Sequence, residues 1–165
     1  LILDGYNVIN SWPGLKLLME ESLETARDKL IDVMVEYGAF KGINIIIVFD
    51  AHLVKGNTGN RQKLKGVEIV FTKEYETADS YIERYIVELS KNNRVAGVTD
   101  DKIEQQMILG SGATRVPVRE MIEMFGQIKN EINEKIEIDR IRKNTLSDTL
   151  GVSVLKRLEK LRRGH

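Results

Sequence analysis

Residues 43–50 read INIIIVFD, a run that is apolar from Ile43 to Phe49 except for Asn44 and then stops on Asp50. A strand exposed on one face alternates apolar with polar residues. A nearly unbroken run of branched apolar side chains fits a strand covered on both faces, as in a parallel sheet. The chain opens in the same way: LILD, residues 1–4, ends on Asp4, and Gly5, Tyr6 and Asn7 follow at once. VEIVF (67–71) and RVAGVTDD (94–101) supply two more strands, the second ending on Asp100 and Asp101. TRVPV (114–118) is a short fifth.

Helical spacing fills the intervals. From Ser22, a natural N-cap, Leu23, Ala26, Leu30, Val33, Met34 and Tyr37 share one face, and Gly38 and Gly42 bracket the end. Another helix starts near Thr77 with Ala78, Ile82, Tyr85, Ile86 and Leu89 in register, and KIEQQMIL (102–109) is a short one. Met121, Ile122, Phe125, Ile128, Ile132 and Ile136 make a long stripe; after a break near Asn144–Ser147, Val154, Leu155, Leu158 and Leu161 make the next. The stretch 51–66, rich in Gly, Asn and Lys, reads as a long loop. Strands alternating with helices imply an α/β fold with a mostly parallel central sheet. Right-handed crossovers place the strand of Asp4 centrally, between 43–49 and 94–99.

The 165 residues suffice for one domain, and they contain no cysteine and only two histidines, His52 and His165. Thiolate zinc sites and cysteine nucleophiles are thereby excluded, and catalysis falls to carboxylates. No apolar run approaches the roughly 18 residues of a membrane span, and no basic-then-apolar leader is visible. A cytoplasmic protein off the membrane, and a monomer, is expected. The net charge is zero but uneven: residues 140–165 carry eight Lys/Arg against Asp148 and Glu159, a net +6. Residues 51–66 hold Lys55, Arg61, Lys63 and Lys65 without an acid. Two basic segments beside an acidic remainder point to a polyanion partner, although solvated loops and tails look the same in sequence.

Asp4, Asp50 and Asp101 end strands, and Asp79 lies in the first turn of a helix that starts on the same sheet edge if strand 67–71 is parallel. Ligands of open α/β sheets bind at that edge. Crowded carboxylates repel unless a cation neutralises them, and oxygen-only ligands select a hard ion, Mg²⁺ or Mn²⁺. Each acid also has a plain structural use: Asp4 and Asp50 in turns, Asp79 with the helix dipole, Asp100 or Asp101 as an N-cap. Asn7 fits a phosphate contact or a turn equally well. Tyr6 and Trp12 can stack on bases or simply fill the core. His52, just past Asp50, fits a phosphate contact or a loop hydrogen bond.

LILDGYNVINSWP, IIIVFDAHLVKG, VEIVFTKEYETAD and VTDDKIEQ, followed by GSGATR and LEKLRRG, together resemble the YacP-type NYN domain of the PIN-like nuclease superfamily. The resemblance implies a PIN-like three-layer fold, with residues 1–139 as the nuclease domain and 140–165 as a basic C-terminal helix packed on it. It also implies a metal-dependent endoribonuclease acting on mRNA at the ribosome. Residue by residue, the family's acids fall on Asp4, Asp50, Asp79 and Asp101, and its asparagine on Asn7. Asp100 stands where the family commonly has serine, which leaves Asp100 and Asp101 as alternative ligands, Asp101 being preferred. Glu76 is a candidate outer-sphere group. Asp4, Asp79 and Asp101 would then hold the principal ion, with Asp50 nearby. Lys55, Arg61, Lys63, Lys65, Arg142, Lys156, Arg157, Lys160, Arg162 and Arg163 would bind the RNA backbone. The competing expectation is an RNA- or ribosome-binding module with this fold and no activity. A phosphotransfer domain fits less well, since Asp4 has no second acid two residues on.

Overall fold

A computed structural model describes residues 1–50 and 59–162, with side chains described through residue 142 and at Val154. Among the described residues the strands are β1 (Ile2–Asp4), β2 (Ile45–Phe49), β3 (Asn60–Leu64), β4 (Val67–Phe71), β5 (Ala96–Val98) and β6 (Thr114–Val116). The helices are α1 (Gly5–Ser11), α2 (Pro13–Glu21), α3 (Leu23–Lys41), α4 (Ala78–Leu89), α5 (Lys102–Gly110) and α6 (Val118–Arg162). No described helix is long and apolar enough to cross a membrane.

The strands form one sheet in the order β3-β4-β2-β1-β5-β6. β1 pairs in parallel with β2 and β5, β2 with β4, and β5 with β6. The apolar runs therefore take the central places, with β1 between β2 and β5 as the sequence requires. α3 packs on β2 and β4. α4 packs on β1 and β2, and its Ala78, Ile82 and Ile86 join Ile2, Val48 and Val70 in one core cluster. Ile45, Ile47 and Phe49 point to the opposite face and are completely buried. The sheet is thus covered on both sides, which explains the unbroken apolar run.

β1 passes into α1 without a loop, and this accounts for the glycine after Asp4. A Cβ on Gly5 would lie 2.2 Å from the Phe49 ring, so only glycine lets the helix start there. Asp4 caps the helix by accepting the Asn7 N–H at 2.9 Å. Ser22 and Thr77 cap α3 and α4 as their sequences suggest, and Gly42 ends α3 in the left-handed conformation (φ 65°).

Two expectations fail. The stretch 51–66 reads as a loop, yet Asn60–Leu64 form an antiparallel edge strand on β4. Lys65 (φ 46°) and Gly66 (φ 88°) make the tight turn between them. The helical break expected near Asn144–Ser147 is absent: α6 runs through it to Arg162.

The chain divides into two compact units, Leu1–Phe125 and Gly126–His165. The resemblance implies a boundary at 139/140. Within the first unit, Trp12 meets Phe125 edge-on at 5.8 Å. The α6 stripe is buried at Met121, Phe125 and Ile128, while Ile136 is exposed.

Candidate metal centre

The sheet order brings the ends of β1, β2 and β5 and the start of α4 to one edge. There Asp4, Asp79 and Glu104 each offer a carboxylate oxygen, all within 4.8 Å of one another. They come from three elements: the end of β1, the first turn of α4 and the first turn of α5. Asp4 and Glu104 are buried, at 8% and 4% exposure, and Asp79 is exposed. Of the three carboxylates, that of Asp79 is the one facing solvent.

Burial pushes the Asp4 carboxyl up to about 6, and the Asp79 and Asp50 carboxylates push the same way. The N–H groups of Asn7 and Tyr6 oppose the shift without cancelling it. For Glu104 burial comes first and the adjacent Asp79 carboxyl next, taking it to about 8; Thr99 beside it works against the rise. Neither Glu104 oxygen has a hydrogen-bond partner of ordinary geometry, although both are buried. Leaving a buried carboxyl unpaired is costly. Three convergent oxygens with no nitrogen or sulfur are of the kind that suits a hard divalent ion.

The remaining expected residues are placed as follows. Asp50, at the end of β2, accepts the Ala78 N–H at 2.7 Å and so ties the start of α4 to the sheet. Its charge reaches Asp4 without its joining the group of three. Asp101 was expected to share the ion with Asp4 and Asp79; among the described residues the carboxylates that converge are those of Asp4, Asp79 and Glu104. Asp101 Oδ1 instead accepts the N–H groups of Ile103 (2.7 Å) and Glu104 (3.2 Å), as the N-cap of α5. Helix starts leave such donors unpaired, and an aspartate there satisfies them. Asp100 likewise accepts the Val118 N–H at the start of α6 (3.0 Å). Asn7 Oδ1 accepts the Asp100 N–H at 3.3 Å, joining α1 to the β5–α5 connection.

Glu104 is obscured in the sequence by Asp100 and Asp101, which end the preceding strand and stand nearer the expected sheet edge. A signal existed. Glu104 stands four residues before the fully buried Ile108, so helical spacing puts a carboxyl on the core face of α5. Arg27 packs beside Tyr6. Its guanidinium donates to the Tyr6 hydroxyl at 3.4 Å and lies 5.8 Å from the Phe71 ring centre. Tyr6 is a core residue, edge-on to Phe49 at 5.1 Å. Glu76 pairs with Arg84 at 2.6 Å and does not join the acidic group.

Of the basic residues, Arg61 is in β3, ion-paired with Glu68 and hydrogen-bonded to the Tyr85 hydroxyl at 2.5 Å. Lys63, Lys65 and Arg142 are exposed. Lys55, His52 and Arg163 lie outside the described residues, as do the side chains of Lys156, Arg157, Lys160 and Arg162.

The family model of the YacP-like NYN domain matches residues 1–163. The protein YacP of Bacillus subtilis (strain 168) is 42% identical over 165 residues, covering 99% of this chain and 96% of its own. The crystal structure of Rae1 (YacP) from Bacillus subtilis aligns with a TM-score of 0.74 at 41% identity, over 99% of this chain and 94% of that one. A mutant of that protein gives 0.71 at 39% identity, over 82% and 79%. NYN and PIN-like domains are nuclease domains that generally work with divalent metals, and the acidic group at the sheet edge accords with that. With the match running nearly end to end in sequence and in fold, the chain belongs to the YacP-like NYN domain family.

Proposed function

We propose that this chain is an endoribonuclease that hydrolyses RNA phosphodiesters with Mg²⁺ or Mn²⁺, with mRNA on the translating ribosome as its substrate. The observation that carries the activity is the convergence of Asp4, Asp79 and Glu104, with both Glu104 oxygens buried and unpaired. The choice of mRNA and ribosome rests on the resemblance of the motifs.

Asp4, Asp79 and Glu104 would hold the ion. Once bound, a divalent ion acidifies an attacking water and offsets the charge that builds on the phosphoryl group. With its pKa raised by burial, Glu104 would give up a proton in order to hold the ion as a carboxylate. Asp50 and Asp101 work indirectly: one anchors the start of α4, the other orients the first turn of α5. Arg61, Lys63 and Lys65 form a cationic edge suited to the phosphate backbone.

The test compares wild type with Asp4→Asn and Asp79→Asn on one mRNA, translated and untranslated, with Mn²⁺ or with EDTA. Metal-dependent ends that both variants abolish, while RNA and ribosome binding survive, are expected. Cleavage retained by both variants in a clean preparation overturns the catalytic assignment. Binding by wild type without cleavage, under translation and with Mn²⁺, favours the non-catalytic module.

A further inference from the structure

One feature on the same sheet edge is unused by the metal centre. The connection from β4 to α4, with the start of β3 and one face of α4, encloses an open pocket of about 590 Å³. Its wall carries Arg61, Lys73, Tyr75, Glu76, Tyr81 and Arg84. We infer that this pocket is a subsite for one nucleotide of single-stranded RNA, in which Tyr75 stacks on the base and Lys73 meets the phosphate.

Tyr75 is the first reason. It is 98% exposed and has a φ of 68°, a left-handed conformation that disfavours any residue with a Cβ. A ring almost wholly in water contributes little to the fold, and glycine would suit the backbone better. Folding therefore gives no account of a tyrosine here. An amphipathic ring standing clear of the surface offers its face to a base.

The surroundings are the second reason. Arg84 lies 5.6 Å from the Tyr81 ring centre and Arg61 lies 5.2 Å from that of Tyr85, while the two tyrosines are 5.5 Å apart. Guanidinium and phenol groups thus alternate along the pocket and its rim. Arg61 and Arg84 are ion-paired, with Glu68 and Glu76. Lys73 is exposed and forms no ion pair with another described residue. Gly59 (φ 85°) lets the chain pass close over its stem, since a Cβ there would come 2.9 Å from Lys73 Cγ. Glu74, exposed between Lys73 and Tyr75, lines the pocket as well; Lys73 is the lining cation without an ion pair among the described residues, and beside an exposed ring it matches one phosphate and one base. The pocket volume suits a small ligand.

Position is the third. The wall formed by residues 73–76 runs directly into Thr77 and Asp79, so a nucleotide here would belong to the strand entering the metal centre. The inference rests on the nuclease reading and adds how the substrate is gripped.

The experiment measures fluorescence anisotropy of a labelled short oligouridine in EDTA, where nothing is cut, with wild type, Tyr75→Ala and Tyr75→Phe. Tyr75→Ala should weaken binding roughly 5- to 150-fold, the range for losing one stacked base. Tyr75→Phe should bind like wild type, and Tyr75→Ala should unfold at the wild-type temperature. An abasic oligomer should bind wild type and Tyr75→Ala equally weakly. Equal affinity of Tyr75→Ala and wild type for the oligouridine overturns the subsite, as does failure of wild type to bind it. Cleavage with Mn²⁺ is scored separately. Cleavage with Tyr75-independent binding removes the subsite alone, whereas Tyr75-dependent binding without cleavage on any RNA removes the nuclease reading alone.

Discussion

Replacing Glu104 by glutamine is the perturbation with the largest calculable effect. The carboxyl moves from an ordinary 4.5 in the unfolded chain to about 8 in the folded one, chiefly through burial. A group whose folded pKa is raised holds its proton more tightly in the native state. The stability this gives is complete below about 4.5 and is lost as the pH rises toward about 8. At about 1.4 kcal/mol per pH unit, the metal-free protein should lose several kcal/mol by pH 8 from this residue together with the Asp79 carboxyl beside it. For a chain of this size that is on the order of 10 °C in the midpoint. Asp4, raised to about 6 by the same cause, adds a smaller loss over the lower part of the window.

Glutamine has nearly the same shape and no titratable proton, so most of the slope should vanish in Glu104→Gln. Its buried amide adds a cost of about 1–3 kcal/mol that does not vary with pH, so the slope and not the intercept carries the test. The assay is thermal unfolding by circular dichroism in EDTA from pH 5 to 8.5. Mn²⁺ should then recover wild type at pH 8 and leave Glu104→Gln nearly unmoved. Parallel pH profiles for the two proteins would refute the assignment of Glu104 as the unpaired carboxyl of this site.

Asp101→Asn should keep both stability and cleavage close to wild type, since asparagine also caps a helix. Asp101→Ala should cost about 1 kcal/mol and reduce cleavage through a misplaced Glu104. Thermal unfolding and cleavage rates decide, and an inactive, stable Asp101→Asn would make Asp101 a direct ligand. Gly5→Ala should destabilise by about 1–3 kcal/mol because its methyl group meets the Phe49 ring. Denaturant unfolding reads this, and Phe49→Leu in the same chain should recover part of the loss.

The central strands were legible because burial on both faces leaves one mark in sequence, an apolar run without alternation. β2 shows it, and the end of such a run locates Asp50 and, by the same logic, Asp4. β3 left no such mark: Asn60, Arg61, Gln62 and Lys63 are polar, and all five of its residues are exposed. Its turn uses Lys65 at a positive φ in place of the usual Asn-Gly or Asp-Gly pair, so the hairpin was invisible. α1 was hidden because a three-residue strand passes directly into it, making one aspartate both strand end and helix cap.

The site followed the same pattern. Acids that end strands are found by position, which yielded Asp4 and the Asp100–Asp101 pair. Position cannot separate a ligand from a cap, because both need a carboxylate at the same edge. Asp101 caps α5, and the carboxylate that joins Asp4 and Asp79 is Glu104, in the first turn of that helix. Asp79 was legible because a helix dipole and a metal centre favour the same first-turn acid. Tyr75 carries no periodicity, and its exposure and backbone angle exist only in three dimensions.

Anomalous diffraction at the manganese edge, from crystals of the full chain soaked in Mn²⁺, tests the central claim most directly. A peak within coordination distance of the carboxylates of Asp4, Asp79 and Glu104 is predicted, weakened or lost in Glu104→Gln. A peak held by Asp50 and Asp101 without Glu104, or no peak at saturating Mn²⁺, would contradict the account.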